Sequence, residues 1–259
     1  MNRRNFLLKS TLYLLGSTWG LNPFSRAIAS VKWPYPVHDP PQIALIIDDI
    51  GYSPIQARQF LKLGIPVTFS ILPHLPSSHD TAVEIRYKGH EVMLHQPMEP
   101  YNAYFDPGPG ALYVGDDAGK IARIMEENIS AVPYAVGVNN HMGSKFTSSP
   151  REIKETLRVV KDKQLFFVDS WTSSRSKAYR TARRLHLSSA RRNIFLDNVL
   201  DESAILRQLF KLKRHALKFG SAIGIGHPFA ETAAAVARFL TTARTPEISF
   251  VHASSVIPT

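Results

Sequence analysis

Ile43-Ala44-Leu45-Ile46-Ile47-Asp48-Asp49-Ile50-Gly51 sets an unbroken run of five apolar residues directly against two adjacent acids and a glycine. Five aliphatic side chains without alternation fit a strand covered on both faces, the kind found in parallel sheets. The acids fall where that strand ends. Ser53-Pro54 follows, a cap residue and then proline at the first helical position, so a helix begins almost at once.

The same rhythm continues along the chain. Strand-like runs at residues 43–47, 67–71, 91–94, 135–138, 165–168, 193–196, 222–225 and 248–251 alternate with segments of helical period at 54–62, 78–88, 116–129, 150–161, 177–185, 202–219 and 231–241. Ser149-Pro150 repeats the capping device, and Gly64, Gly89 and Gly220 sit just past helix ends, where a left-handed residue is needed. Strand and helix in repeated alternation predict an α/β fold of parallel strands joined by right-handed crossovers, most simply a distorted (β/α) barrel of seven to eight mostly parallel strands. Chemistry in such folds collects at the C-terminal edge of the strands. The irregular stretch 96–115, rich in Pro, Gly and Tyr, reads as a loop over that edge and a candidate substrate rim.

Six strand ends carry an Asp or a His: Asp48 and Asp49, His95, His141 after Asn139 and Asn140, Asp169, Asp197, and His227 after Gly226. A merely solvated edge would favour Lys, Glu, Ser and Gly. One carboxylate and two neutral imidazoles make a three-ligand metal set with positions left for water and a substrate oxygen. A second carboxylate beside it can take a proton from water, and an imidazole across the site can protonate a leaving amine. Asp48 and Asp49 would face opposite ways in a strict strand, but a strand end followed by Gly51 can turn both to one centre.

Composition narrows the chemistry. The 259 residues contain no cysteine, which excludes disulfides, thiolate metal sites and cysteine nucleophiles. The net charge is +10, of which Arg3, Arg4, Lys9 and Arg26 contribute four, with no acid among residues 1–29. The basic start, the apolar stretch from Phe6 to Leu21 and Ala27-Ile28-Ala29 read as a cleavable signal peptide over residues 1–29. Its Arg3-Arg4-Asn5-Phe6-Leu7-Leu8-Lys9 resembles the twin-arginine export signal, so the expected location is periplasmic or secreted. Residues 30–42 form a proline-rich lead-in, and 43–259 read as one domain without a stable membrane span.

The runs Ile46-Ile47-Asp48-Asp49-Ile50-Gly51, Gly89-His90-Glu91-Val92-Met93-Leu94-His95-Gln96-Pro97-Met98-Glu99-Pro100, Asn139-Asn140-His141-Met142-Gly143-Ser144 and Ile223-Gly224-Ile225-Gly226-His227-Pro228 resemble the divergent polysaccharide deacetylases. So do Leu72-Pro73-His74-Leu75-Pro76, Asp106-Pro107-Gly108-Pro109-Gly110-Ala111-Leu112 and Phe195-Leu196-Asp197-Asn198. That family is a remote branch of the NodB-type carbohydrate esterases, whose fold is a distorted (β/α) barrel. The resemblance implies a metal-dependent hydrolase that removes N-acyl groups from a glycan, either peptidoglycan or an exported polysaccharide, with a divalent metal ion, most simply zinc. It implies Asp48 as catalytic base, Asp49 and His95 as metal ligands, His227 as catalytic acid and Asp169 as the carboxylate that orients it. The second histidine of the family's second motif is Glu99 here, so the third ligand is Glu99 or His141; the altered arginine motif, Asn139 to Ser144, favours His141. Glu99, Asn140 and Asp197 are further candidates for contacting substrate or supporting the ligands. Because two motifs are altered, a non-catalytic envelope module with the same fold is the alternative.

Taken singly, each residue has a plainer reading. Asp48 and Asp49 could cap the turn before Pro54, His95 and His141 could be satisfied core histidines, and Asp169 or Asp197 could pair with Arg175 or Arg192. Their recurrence at matching strand ends is what favours a site. His74, His79, His90, His186 and His215 receive no role. Arg180, Arg183, Arg184, Arg191 and Arg192 read as a solvated helix face or a contact for an anionic glycan. No aromatics interleave them as nucleic-acid binding would require.

Overall fold

The computed structural model describes residues 40–242 and 247–258, so the expected signal peptide and residues 30–39 of the lead-in lie outside the described residues. The strands are β1 (Gln42–Ile50), β2 (Thr68–Ile71), β3 (Glu91–Met98), β4 (Ala135–Met142), β5 (Phe166–Asp169), β6 (Ser189–Arg191), β7 (Ile194–Phe195), β8 (Ser221–Gly226) and β9 (Ser249–Val251). The helices are α1 (Pro54–Leu61), α2 (Ser78–Tyr87), α3 (Ala118–Ala131), α4 (Pro150–Asp162), α5 (Ala178–Arg184), α6 (Glu202–Phe219) and α7 (Ala230–Thr242). The sheet runs β6-β5-β4-β3-β2-β1-β8-β7, every pairing is parallel, and β9 lies beside the first residues of β1. This is a curled, incompletely closed barrel wrapped by helices.

Local chemistry explains most boundaries. Ser53 Oγ accepts from the Ile55 amide, Asp117 Oδ1 from Lys120 and Asp201 Oδ1 from Ala204, capping α1, α3 and α6. Gly220 ends α6 at φ +86°, which costs glycine little. Ser149 departs from its expected capping role and gives its hydroxyl to Glu152. β6 has no counterpart among the expected strands: Ser-Ala-Arg is not an apolar run, and pairing with Phe167–Asp169 of β5 defines it. β3 and β4 run four residues past their apolar segments, so His95 and His141 lie on strand residues rather than in the loops beyond.

Two cores follow from the alternation of side chains. Ile43, Leu45, Ile47 and Ile50 of β1 face the helices and join the larger core with Phe60, Phe69, Leu157 and Phe239. Ala44 and Ile46 face the barrel interior with Met93, Phe166, Val168, Ile223 and Ile225. A 3-10 turn, Ala253–Val256, plugs that interior: Ala253 and Ile257 belong to the same inner core. The plug is tied polar to polar, the Ala253 amide donating to Thr68 Oγ1 and the Ser254 amide to Glu91 Oε1.

The barrel does not close between β6 and β7. Arg192 and Asn193 alone carry the chain across that seam. The Arg192 amide donates to Asp169 O on one side, and the Asn193 amide to Ile223 O on the other.

Gly137 on β4 leaves the space that Phe166 fills, because a Cβ there would lie 2.3 Å from the Phe166 ring. Gly137→Ala should therefore destabilise the protein by about 1–3 kcal/mol through overpacking. The check is a lower denaturant midpoint at unchanged m-value, partly restored by adding Phe166→Leu.

Candidate active site

The site begins at a bulge. Between Ile47, which pairs with Phe69, and Ile50, which pairs with Ile71, β1 has one residue more than β2. Asp49 takes up the excess at φ +59°, a left-handed conformation that Asp tolerates better than most residues. Ile47 and Ile50 stay in the helix-facing core while Asp48 and Asp49 both turn to the interior.

The register of the neighbouring strands supplies the rest. His95 on β3 is directly opposite Asn139 on β4, and His141 is two residues further along β4, on the same face as Asn139. Asp49 Oδ1 lies 3.1 Å from His95 Nε2 and 2.9 Å from His141 Nδ1, and the two imidazole nitrogens are 3.2 Å apart. These three groups form a candidate metal site. Glu99 stands apart from it: its Oε1 takes a bond from Lys145 Nζ at 2.6 Å and its Oε2 one from the Val114 amide at 2.9 Å. Of Glu99 and His141, only His141 stands with Asp49 and His95, while Glu99 fastens the 99–115 loop.

The donor set fits a divalent cation. Asn139 Nδ2 donates to Asp48 Oδ1 at 2.8 Å, so the other amide atom, Oδ1, is an acceptor and takes a bond from His95 Nδ1 at 2.7 Å and one from the Ser70 hydroxyl. The network thus puts the His95 proton on Nδ1 and aims a free Nε2 lone pair at the centre. Asp49 Oδ1 is buried without a hydrogen-bond partner. Three electron pairs converging on one point call for a positive charge. Ligand atoms around a zinc-sized ion, bonded at about 2.0–2.2 Å, stand roughly 3.0–3.4 Å from one another, close to the separations here.

The two neighbouring carboxyls are driven apart electrostatically. Burial pushes Asp48 above the usual carboxylate range, with His95 and His227 only partly opposing it. Burial would raise Asp49 too, but positive charge at the centre, here that of His141 and His95 when protonated, outweighs it and holds that carboxyl well below its ordinary value. Such divergence between adjacent groups separates a base from a ligand.

Across the cleft, His227 Nε2 is 3.7 Å from Asp49 Oδ2. Its Nδ1 and its own amide both donate to Asp197, at 2.9 and 2.5 Å, and Thr232 Oγ1 adds a third bond at 2.8 Å. Burial would lower the His227 pKa, yet the Asp197 bond and the carboxylates of Asp49 and Asp48 raise it to about 9. The carboxylate that bonds His227 is therefore Asp197 and not Asp169, for which an orienting role was expected. Asp169 Oδ1 accepts from the Trp171 amide, and Oδ2 from Ser176 Oγ and the Tyr179 amide, which fastens the 170–179 loop. Asn140 accepts from the Ser170 amide and donates to Met142 O, a tie between β4 and the same loop.

The resulting cleft, about 360 Å³, is lined by Asp48, His95, His141, Trp171, Phe195 and His227, with Arg192 in its wall. Asn139 was not among the residues expected to matter, and Arg192 was read only as part of a basic cluster, on a solvated face or against an anionic glycan. Period-two alternation from His141 selects Asn139 rather than Asn140, whereas the basic cluster marked Arg192 without separating it from its four neighbours.

Residues 45–257 match the sequence profile of the divergent polysaccharide deacetylase family. The uncharacterised protein YibQ of Escherichia coli K12 is 32% identical over 216 residues, covering 83% of this chain and 67% of its own. Among solved structures, an uncharacterised protein of Agrobacterium tumefaciens C58 superposes with a TM-score of 0.80 at 25% identity, covering 86% of this chain and 92% of that one. The catalytic domain of a peptidoglycan N-acetylglucosamine deacetylase from Eubacterium rectale ATCC 33656 shares the fold, with a TM-score of 0.54 at 13% identity over 85% of this chain and 91% of that one.

The ligand assignment is tested by metal content after dialysis. His141→Ala should lose the ion while Glu99→Gln retains it. Asn139→Ala, which leaves His95 unoriented, should weaken affinity by roughly 10–100-fold.

Proposed function

The chain belongs to the divergent polysaccharide deacetylase family, and on that premise we propose that it is a metal-dependent hydrolase removing N-acyl groups from a cell-envelope glycan. The observation that carries this reading is the pair Asp48 and Asp49, consecutive in sequence, turned to one centre and opposite in acidity.

Asp49, His95 and His141 hold a divalent cation, with zinc favoured by two imidazoles and one carboxylate. A cation bound there would supply Lewis acidity toward an acyl carbonyl and lower the pKa of water at the site. Asp48 takes the proton of the attacking water. Burial makes it a better base than an exposed carboxylate, and Asn139 fixes its Oδ1 so that Oδ2 faces the centre. His227, kept protonated by Asp197, gives its proton to the amine as the carbon–nitrogen bond breaks. Water thus adds to the acyl carbon, and the products are a carboxylate and a protonated amino sugar. Trp171 and Phe195 shield the centre on the cleft side. The glycan is peptidoglycan or an exported polysaccharide, met outside the cytoplasm if the first 29 residues act as the export signal they resemble.

Metal content and acetate release, measured side by side on N-acetylglucosamine oligomers, test the roles. Asp49→Asn should lose both. Asp48→Asn and His227→Ala should keep the metal while turnover falls by roughly 10²–10⁴-fold. Equal loss of metal in all three would overturn the assignment, and metal-loaded wild type that releases no acetate would favour the binding module.

The pH profile should be bell-shaped. On the acid side the rate falls as Asp48 takes a proton, and on the alkaline side as His227 loses one. A bound cation offsets the charges of Asp49 and Asp48, which leaves the Asp197 bond as the main support of the His227 proton. Asp197→Asn should therefore move the alkaline limb of kcat/KM down by roughly 1–3 pH units, and an unmoved limb would assign the acid elsewhere.

A further inference from the structure

Arg192 sits in the wall of the cleft without a contacting carboxylate among the described residues. Its Nε donates to Ser170 O at 2.7 Å and its Nη2 to Trp171 O at 3.1 Å, and its guanidinium lies 4.8 Å from the centroid of the Phe195 ring. Among the described residues no carboxylate lies within 4.0 Å of it. Carbonyl partners fix the plane of the guanidinium without contributing opposite charge, and Nη1 has no hydrogen-bond partner among the described residues. A half-buried cation in that state is costly unless something anionic completes it. Burial, with the neighbouring Arg191, lowers the Arg192 pKa despite Asp48 and Asp169, which attract it only through space.

Two more guanidiniums stand on the same segments. Arg191 lies over the Trp171 ring at 3.7 Å, and Trp171 lines the cleft. Arg175, on the loop that carries Trp171 and Thr172, lies over the Tyr101 ring at 5.8 Å. Neither is paired with an acid among the described residues. Stacking on Trp171 fixes the Arg191 guanidinium while leaving its N–H edge free for a planar anion, whereas Arg175 also engages the Tyr101 hydroxyl. The loop itself is pinned by the Asp169 carboxylate through Trp171, Ser176 and Tyr179. The backbone that carries these cations is thus fixed, with the side chains of Arg191 and Arg175 exposed beside it.

We propose that Arg192, supported by Arg191 and Arg175, binds the carboxylate of an acidic sugar, so that the substrate is an N-acylated glycan whose residues bear carboxylates. This rests on the deacetylase reading of the neighbouring centre. A carboxylate on the ring carbon of a uronic acid and one on a lactyl ether offer the same chemistry, and a guanidinium edge meets either in a bidentate pair.

The test is calorimetric binding to metal-loaded protein at low and moderate salt, with three tetrasaccharides: neutral N-acetylglucosamine, N-acetylglucosamine alternating with glucuronate, and N-acetylglucosamine alternating with N-acetylmuramate carrying a free lactyl group. At least one acidic oligomer should bind about tenfold more tightly than the neutral one, as a charge-assisted pair implies. Arg192→Gln should abolish that preference, Arg192→Lys should keep part of it, and binding of the neutral oligomer should change less than twofold. Because Arg192 also holds two backbone carbonyls, Arg191→Gln and Arg175→Gln serve as variants that disturb no backbone bond, each expected to reduce acidic binding about threefold. Equal affinity for neutral and acidic oligomers overturns the proposal. So does an Arg192→Gln protein that binds both equally weakly, or one that binds normally but turns both over slowly, since the residue would then serve Asp48. Acidic preference without any acetate release would sink the hydrolase reading and leave this one standing.

Discussion

Two consecutive carboxylates facing the same way is a geometry that a regular strand forbids, and the whole centre depends on its being imposed at Asp48 and Asp49. The imposition comes from the hydrophobic core. Ile47 and Ile50 are both fully buried against the helices, and burying each contributes on the order of 1.5–3 kcal/mol. Three steps of chain separate two positions that the core needs on one face, so the two residues between them are turned inward together. The left-handed backbone at Asp49 costs about 1–2 kcal/mol, less than losing either isoleucine. The turn is also clamped from behind, since Leu72 N donates to Ile50 O and the space beside Gly51 is filled by Ser78 and Leu75.

Once the acids point inward, depth differentiates them. Asp48 is nearly inaccessible and is answered by one amide donor and distant imidazoles, so desolvation dominates. Asp49 sits one residue nearer the rim, between two imidazoles, and attraction dominates. The same backbone excursion therefore yields one group suited to accept a proton and one suited to bear a cation. Asn139 links the halves. Its amide holds Asp48 and its carbonyl holds His95, so the proposed base and a proposed ligand are oriented by one side chain that the parallel register of β3 and β4 places between them.

Much of this was legible before any coordinates. Aliphatic runs ending in Asp or His marked the strands and the edge where they meet, because strand length and β-branched content report burial directly. What escaped was information carried between strands. The partner of His227 could be Asp169 or Asp197 by position alone; the two-residue β7 beside β8 brings Asp197 within reach, while Asp169 turns back to its own loop. Glu99 occupied the position of a ligand in the motif, yet Lys145 and the Val114 amide hold it outward. Asn139 reads as an ordinary polar residue until its opposition to His95 is known. Residues at strand ends announce themselves by type, and their pairings wait on register.

The open seam explains why the cleft has the wall it has. Closing the barrel would require β6 and β7 to pair, but only Arg192 and Asn193 separate them, too few for the crossover that parallel neighbours need. The two edges are instead satisfied locally: Arg192 N and Asn193 N reach Asp169 O and Ile223 O, and Asn193 Oδ1 accepts from the Ile223 amide. With those backbone groups paired, no ladder fixes the Arg192 side chain, which reaches across to the carbonyls of Ser170 and Trp171 and into the cleft. A closed barrel would have put a strand, with side chains confined to alternate faces, where this protein puts a guanidinium beside Asp48. The defect in the barrel and the charge in the cleft wall thus have a common origin in a two-residue connection.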